Sequence, residues 1–391
     1  MSAAPLAPWI GEQLKTLLAQ RGHAWLLQGP SGLGQFDLAL ALVRAWLCDA
    51  PTLPAARGSL PPEGALAALG RPGGGLDAPT LPAARGSLPP EGVLAALGRP
   101  GGGLDAPTPP SACGQCASCH AIDVHTHADL AVLMPETEMI ERGWPLPEKA
   151  QADIDDKKRK PSKEIRVDAL REAIEFAQRT SGRGRGKAVL VYPAERMNLI
   201  AANALLKTLE EPPGDVRFVL ATDAAHLLLP TIRSRCLNHV MTWPAEADAL
   251  PWLAAAAGMP GGDAAALLRA AGGRPAEALA LAAVKDGARQ WALLPRALGA
   301  GDVSALAGLP LPEAVARLQK LCHDLMAVQA GGSPRFFDLA DLPRRPLAVG
   351  ALARWWAQLT QAARTAEHPL NAGLATEFLV STARQALNSR L

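Results

Sequence analysis

Short apolar runs alternate with segments of helical spacing in the N-terminal part of the chain. The runs are rich in aliphatic residues and occupy 24–28, 129–134, 189–191 and 218–221. Between them, apolar residues recur every three or four positions, as in Phe36, Leu40, Val43 and Leu47 and again in Val167, Leu170, Ile174 and Ala177. Continuous apolar runs are typical of strands that are buried on both faces. The pattern therefore predicts an α/β domain with a parallel sheet.

The pattern changes at Thr242-Trp243-Pro244, after which Ala- and Leu-rich sequence continues and strand alternation does not return. Apolar residues keep helical spacing in two later segments, at Val315, Leu318, Leu321 and Leu325, and at Leu370, Leu374 and Phe378. Such stripes pack inside helical domains or against neighbours. A chain of 391 residues is long enough for two or three domains, so we expect helical domains after the α/β domain.

The first apolar run leads into a glycine-containing loop and a helix, which is the setting of a phosphate-binding P-loop. Gly29 and Gly34 have the P-loop spacing, but Gln35 replaces the lysine and Phe36 replaces the Ser or Thr. The lysine normally reaches the β- and γ-phosphates, and the hydroxyl holds Mg²⁺. The sequence therefore predicts a degenerate loop that serves as a turn, with weak phosphate binding through backbone amides as the alternative.

A duplicated segment follows the first helix. Residues 49–76 return almost unchanged as 77–104, and a third copy begins at 105 before it diverges. The Pro-, Gly- and Ala-rich composition provides too little apolar area to offset the entropy of ordering the chain. The insert 49–104 is therefore predicted to be a disordered, mobile surface loop, and a binding motif inside it is the alternative.

Four of the six cysteines form a candidate metal site. The two 28-residue repeats account for 56 of the 64 residues between Cys48 and Cys113, so the underlying spacing is eight, with Cys116 and Cys119 at intervals of two. Four thiolates suit structural Zn²⁺. The alternatives are an iron–sulfur or redox site and unliganded thiols.

Other residues near this site and elsewhere have simpler interpretations. His120, His125 and His127 are expected to be surface histidines or neighbours of the site, because four sulfurs already suffice; replacement of one thiolate is the alternative. Cys236 and Cys322 are predicted to be buried, inert thiols.

The charge balance limits the class of partner. Lys and Arg number 39 against 37 Asp and Glu, which gives a net charge of +2. This is too balanced for a chain that grips nucleic acid unaided. The run 153–163 is predicted to be a solvated loop and 181–187 a turn before a strand, with DNA or phosphate contact as the alternative for each. No apolar run is long enough to span a bilayer, so a soluble, cytoplasmic protein is expected.

Two strings, ANALLKTLEEPP at 202–213 and LPTIRSRC at 229–236, resemble the bacterial clamp-loader ATPase family of DNA polymerase III. The cysteine spacing is similar to that of the family's zinc module. The resemblance implies an AAA+ α/β module over 1–243, a helical lid over 244–283 and a helical collar over 284–391 that holds a ring of five subunits.

The resemblance also implies roles for residues. In the family, the arginine of the Ser-Arg-Cys motif reaches the γ-phosphate of ATP in the next subunit, so Arg235, beside Ser234, is expected to be an arginine finger acting in trans. The alternative is an ion pair between Arg235 and a carboxylate of its own chain. Thr222 matches a nucleotide-sensing position, and Arg274 is either a phosphate sensor or, as we expect, a capping or surface arginine.

The same resemblance implies a subunit without activity of its own. Family members have Asp-Glu after strand 189–191, for Mg²⁺ and for water activation, whereas this chain has Tyr192-Pro193. We expect no ATP in its own site and an accessory role in the polymerase III holoenzyme. The implied partners are the δ subunit, the ATP-hydrolysing γ/τ subunits, the β sliding clamp and primed DNA. Two other hypotheses remain, an active γ/τ-like ATPase and a zinc-containing DNA-binding protein outside replication.

Overall fold

The computed structural model describes residues 6–50, 112–368 and 371–389. Its centre is a five-stranded parallel sheet in the order β2-β3-β4-β1-β5. The strands are β1 Ala24–Gln28, β2 Leu130–Leu133, β3 Lys187–Val191, β4 Val216–Thr222 and β5 Leu237–Val240. The predicted α/β class with a parallel sheet is confirmed, and β5 is an edge strand that the sequence pattern did not predict.

Helices cover both faces of this sheet. In the part of the chain described up to β5, the α-helices are α1 Pro8–Leu18, α2 Gln35–Leu47, α3 Ala117–Asp123, α4 Glu136–Glu141, α5 Glu148–Asp155, α6 Val167–Gln178, α7 Leu199–Glu210 and α8 Pro230–Arg233. Alternate residues of β1 face opposite cores, because successive strand side chains point to opposite faces. Trp25 and Leu27 pack with residues of α1 and α2, whereas Ala24 and Leu26 pack with residues of α6 and α7.

Helices alone follow β5 in the described residues. They are α9 Glu246–Ala257, α10 Gly261–Ala270, α11 Pro275–Ala282, α12 Gly287–Ala300, α13 Leu311–Gln329, α14 Val349–Thr365 and α15 Ala372–Leu387. Leu253, Leu267 and Ala278 join the core that α1 and α2 form against the sheet. The helices α12 to α15 have a core of their own, which includes Leu318 and Trp355.

Some predictions fail or fall outside the description. Leu374 and Phe378 are 66% and 54% exposed. Their side chains therefore do not pack inside the helical domain, which was one of the arrangements predicted for this stripe. Leu370 and most of the insert 49–104 lie outside the described residues. Among the described residues, every helix is too short or too polar to cross a lipid bilayer.

Candidate functional site

The degenerate phosphate loop joins β1 to α2 and is filled by the side chain of Gln35. Its Nε2 donates to the carbonyl oxygens of Gly29 and Pro30 at 2.7 and 2.8 Å, and Gln35 is 2% exposed. Gly34 precedes the helix at φ 92°, a conformation that glycine adopts without steric cost. A lysine here would present an ammonium to phosphate, whereas the Gln35 amide satisfies the loop's own carbonyls.

An aromatic pair takes the positions from which a P-loop protein would hold Mg²⁺. The ring centroids of Phe36 and Tyr192 lie 5.4 Å apart, and Tyr192 is buried. Burial raises the pKa of the Tyr192 hydroxyl above its ordinary value, and the nearby charge of Asp223 acts in the same direction. Neither ring carries the carboxylate by which proteins usually hold Mg²⁺.

The end of β4 binds the carboxylate of Glu195, which follows Tyr192-Pro193 in the chain. Thr222 Oγ1 donates to Oε2 of Glu195 at 2.6 Å, and the amide of Asp223 donates to its other oxygen at 3.4 Å. Glu195 is therefore engaged in hydrogen bonds within the chain. Burial, with the charges of Glu195 and Glu138, raises the pKa of Asp223 to about 6.

Arg274 closes the other side of the loop. Its Nε donates to the carbonyl oxygen of Ala271 at 2.9 Å, its Nη1 lies 3.4 Å from Ser31 Oγ, and its guanidinium pairs with Glu277. The amide of Ala276 in α11 donates to the carbonyl oxygen of Gly32 at 3.3 Å. Arg274 therefore binds the carbonyl at the C-terminal end of α10, as a capping arginine does, while its side chain makes no capping hydrogen bond to α11, the helix that packs on the loop.

The four predicted metal ligands meet at one point. The sulfur atoms of Cys48, Cys113, Cys116 and Cys119 all lie within 4.8 Å of one another. Cys48 Sγ is 3.5 Å from Cys113 Sγ and 3.8 Å from Cys116 Sγ. A tetrahedral site with metal–sulfur bonds of about 2.3 Å requires sulfur separations of about 3.8 Å. The cluster could therefore hold one metal ion.

Backbone amides point at these sulfur atoms, as a thiolate site requires. The amides of Cys113, Cys116 and Cys119 donate to the sulfurs of Cys48, Cys113 and Cys116 at 3.3, 3.3 and 3.4 Å. The amide of Gln115, with that of Cys116, lowers the pKa of Cys113 to about 6. Such hydrogen bonds stabilise the ionised form of a ligand.

The neighbouring histidines have other partners. His127 accepts the amide of Asp129 at 3.1 Å and lies 3.2 Å from Ser118 Oγ, and the His125 ring stacks on Trp144 with centroids 3.9 Å apart. Within the described residues, the metal-binding group contains four cysteines and no histidine. The two remaining thiols, Cys236 and Cys322, are buried as predicted.

The glycine-rich turn 181–187 is fixed by one carboxylate. Asp129 accepts the amides of Gly182 and Arg183 at 2.7 and 2.9 Å and the hydroxyl of Ser181 at 3.0 Å. Arg185 donates to the carbonyl oxygen of Asp49, next to the cysteine cluster, at 2.8 Å. These contacts match the predicted turn, which here also ties β3 to the metal-binding segment.

Arg235 lies at the surface just after α8. Its Nε donates to Oε1 of Glu210 at 2.6 Å and its Nη1 to the carbonyl oxygen of Thr231 at 2.8 Å. Ser234 Oγ also donates to Thr231, at 3.1 Å. Within this chain, Arg235 therefore makes the ion pair of the alternative hypothesis, and its side chain is still 29% exposed.

Sequence reasoning missed Arg142 and Trp144, which contact the degenerate loop. The guanidinium carbon of Arg142 lies 4.5 Å from the ring centroid of Phe36. The mixed-sign run 153–163 predicts a solvated loop, but this is wrong for Arg159, which pairs at 2.5 Å with the buried Glu136. Trp144, a large apolar residue inside a polar stretch, was the signal in the sequence that this segment packs on the α/β domain.

Comparison with known proteins gives one family match and several similar sequences. Residues 105–242 match the family model described as "DNA polymerase III, delta subunit". The chain is 32% identical over 238 residues to the DNA polymerase III subunit delta' of Pseudomonas aeruginosa, covering 61% of this chain and 48% of that protein. It is 35% identical over 218 residues to the DNA polymerase III subunit delta' of Escherichia coli, covering 55% and 58%.

A shorter match is to the DNA polymerase III subunit tau of Escherichia coli, 42% identical over 73 residues, or 19% of this chain and 11% of that protein. The chain thus spans about half the length of the delta' relatives it matches. Residues 105–242, which include four of the five strands of the parallel sheet, are thus similar to the DNA polymerase III delta family. Within that family, it is the delta' subunit of DNA polymerase III that the chain resembles.

Proposed function

We propose that this chain is a non-hydrolysing, delta'-like subunit of a bacterial clamp loader. It assembles with δ and with γ/τ subunits into a ring of five and helps to load the β sliding clamp on primed DNA, as an accessory part of the polymerase III holoenzyme. The names of its relatives, which include delta' and tau subunits, support this assembly. The near-neutral charge supports DNA contact through the complex rather than through this chain alone.

The observation that carries the proposal is the position of Gln35. Gln35 is 2% exposed and its amide donates to the loop's own carbonyl oxygens, so the position of the P-loop lysine offers no cation to the β- and γ-phosphates. Phe36 and Tyr192 replace the oxygen ligands of Mg²⁺, so neither half of the site supports hydrolysis.

Arg235 supplies the chemistry for a neighbour. A guanidinium is charged at every physiological pH and binds phosphate oxygens in a bidentate way. It stabilises the negative charge that builds up on the γ-phosphate during transfer. Its partner in this chain, Glu210, is 48% exposed. Because a salt bridge this exposed is weak, a triphosphate in the adjacent subunit displaces it.

Zinc is the metal that best suits the cysteine cluster. Four sulfurs at tetrahedral separations leave no open position for a substrate, so the metal is structural. Cys48 ends α2 and Cys116 caps α3, and the ion therefore joins these two helices. The remaining layout is an AAA+ module to residue 243, a lid over 244–283 and a collar over 284–391, with the exposed Leu374 and Phe378 facing neighbouring subunits.

The test is reconstitution with γ/τ and δ subunits, followed by measurement of ATP turnover stimulated by clamp and primed DNA. Arg235→Ala is expected to lower turnover by tenfold or more, about the least that loss of an arginine finger costs, while the complex still assembles on size-exclusion chromatography. Arg233→Ala, which removes an exposed arginine two residues away at the end of α8, is the matched control. Unchanged turnover with Arg235→Ala in the assembled complex refutes the finger.

A further inference from the structure

The segment 136–163, which lies outside the strings that carry the family resemblance, forms a closed unit. It contains α4 and α5 and returns to its own start. The carboxylate of Glu136 accepts two hydrogen bonds from Arg159, at 2.5 and 2.8 Å, and one from the amide of Ser162 at 2.8 Å. Glu136 is 6% exposed, so the base of the unit is a buried, bidentate ion pair, which holds geometry better than a surface pair does.

This unit places a guanidinium over both residues that replace Mg²⁺ ligands. The Arg142 carbon Cζ lies 4.5 Å from the ring centroid of Phe36 and 4.8 Å from that of Tyr192. Its Nη2 lies 3.3 Å from the Tyr192 hydroxyl oxygen. Cation–π contacts of this length are attractive, more so where water is excluded. Arg142 therefore contacts both of the aromatic residues that stand in place of Mg²⁺ ligands.

Carboxylates surround this guanidinium. Glu138 accepts from Arg142 Nε at 3.1 Å, and the positive charge of Arg142 opposes the upward pKa shift that burial causes at Asp37 and Asp223. In a working P-loop site, a metal ion lies among carboxylates at this end of the sheet. Here the guanidinium of Arg142 brings a positive charge to the same surroundings.

Trp144 closes the arrangement from outside. Its ring meets the edge of Phe36 with centroids 6.3 Å apart, and it also stacks on the ring of His125, which follows α3. The unit thus connects the degenerate loop to the helix that carries Cys119.

We propose that segment 136–163 is an intramolecular occupant of the degenerate nucleotide site, with Arg142 in the place of the metal ion and Trp144 as its cover. The inference deepens the proposed function, since it rests on taking this loop as the former nucleotide site. Arg142 and Trp144 of the segment contact Phe36 after the loop, Tyr192 after β3 and His125 after α3, and they make these contacts without a ligand.

The experiment uses Tyr192, which is the single tyrosine of the chain, as a reporter of this cleft. The full-length chain is jumped by rapid mixing to about pH 11, above the ordinary tyrosine pKa of about 10, and tyrosinate absorbance is followed. In the wild type, Tyr192 is expected to ionise slowly, because the segment must open first. Arg142→Ala is expected to accelerate ionisation roughly tenfold, since two cation–π contacts are lost.

Arg171→Ala is the matched control, because the Arg171 side chain is 66% exposed and pairs only loosely with Asp168, at 3.5 Å. Ionisation as slow as in the wild type is expected for it. Equal rates for Arg142→Ala and the wild type overturn the proposal, and so does ionisation of wild-type Tyr192 within the mixing time, which needs no variant to fold. The readout is taken on the isolated chain, so its failure leaves the stimulation of neighbouring ATPases untouched, and a failure of that stimulation leaves the Tyr192 result standing.

Discussion

The side-chain nitrogen of Gln35 lies 2.7 Å from the carbonyl oxygen of Gly29. The partly buried carbonyl of Gly29 needs a donor, and Gln35, at the position of the P-loop lysine, provides it. The loop is therefore stable in the absence of nucleotide, whereas a working P-loop completes its contacts with phosphate.

Gln35→Lys is expected to destabilise the chain without creating an ATP site. It removes the two hydrogen bonds of a side chain that is 2% exposed and places an ammonium there, at a cost of about 1–3 kcal/mol. Thermal unfolding and calorimetric ATP titration measure the two effects. Gln20→Lys, at an exposed position, is the control. Tight ATP binding by Gln35→Lys would show that the rest of the site is intact, contrary to this account.

Cys119→Ser is expected to remove the metal and lower the melting temperature, because a structural ion stabilises only the folded state. Metal analysis should find one zinc per wild-type chain and a substoichiometric amount in the variant. Cys322→Ser changes a buried thiol of the helical region and should retain the metal. Full zinc content in Cys119→Ser would exclude the four-cysteine site.

Asp223→Asn is expected to stabilise the chain at neutral pH. Burial raises the pKa of Asp223 from 3.8 to about 6, so the folded state holds its proton more tightly than the unfolded state does. The contribution of Asp223 to stability is therefore complete below pH 3.8 and lost as the pH rises through about 6. The difference in melting temperature between variant and wild type should grow across this interval.

Asp215→Asn, whose side chain is 65% exposed in the wild type, is the control for this pH dependence. Its melting temperature should follow that of the wild type across the same interval. A stabilisation by Asp223→Asn that does not change with pH would mean that the Asp223 carboxyl is not the titrating group.

Arg235→Ala and Glu210→Ala are expected to leave stability nearly unchanged. Their ion pair is partly exposed, with side chains 29% and 48% accessible, and such pairs contribute about 0–1 kcal/mol. In the reconstituted loader, Glu210→Ala should retain ATP turnover because it frees the guanidinium, whereas Arg235→Ala should lose it. Equal losses for both variants would indicate that the pair itself, rather than the finger, is required.

The sequence predicted those parts of the molecule that depend on local pattern. The buried strands at 24–28 and 189–191 are continuous apolar runs, and the cysteine site emerged once the repeats were subtracted. The edge strand Leu237–Val240 was not predicted, because Asn238 and His239 interrupt its apolar character and three of its four residues are exposed. Pairing with β1 creates this strand, and pairing is not visible in local sequence.

The site's closure was beyond sequence reasoning for a similar reason. Gln35 and Phe36 indicated what was lost, but Arg142 is a single arginine more than 100 residues away in a polar segment. Its position depends on the Glu136–Arg159 pair and on the ring of Tyr192, which are tertiary contacts. A degenerate motif shows which phosphate and metal ligands are missing from the sequence. The residues that take their place can be identified only from the folded structure.

We propose that this chain acts on a neighbour's ATP and does not hydrolyse its own. Steady-state ATP turnover by the purified chain alone, with Mg²⁺ present, tests this directly. No turnover above a protein-free control is expected. Multiple-turnover hydrolysis that co-elutes with the chain would contradict it.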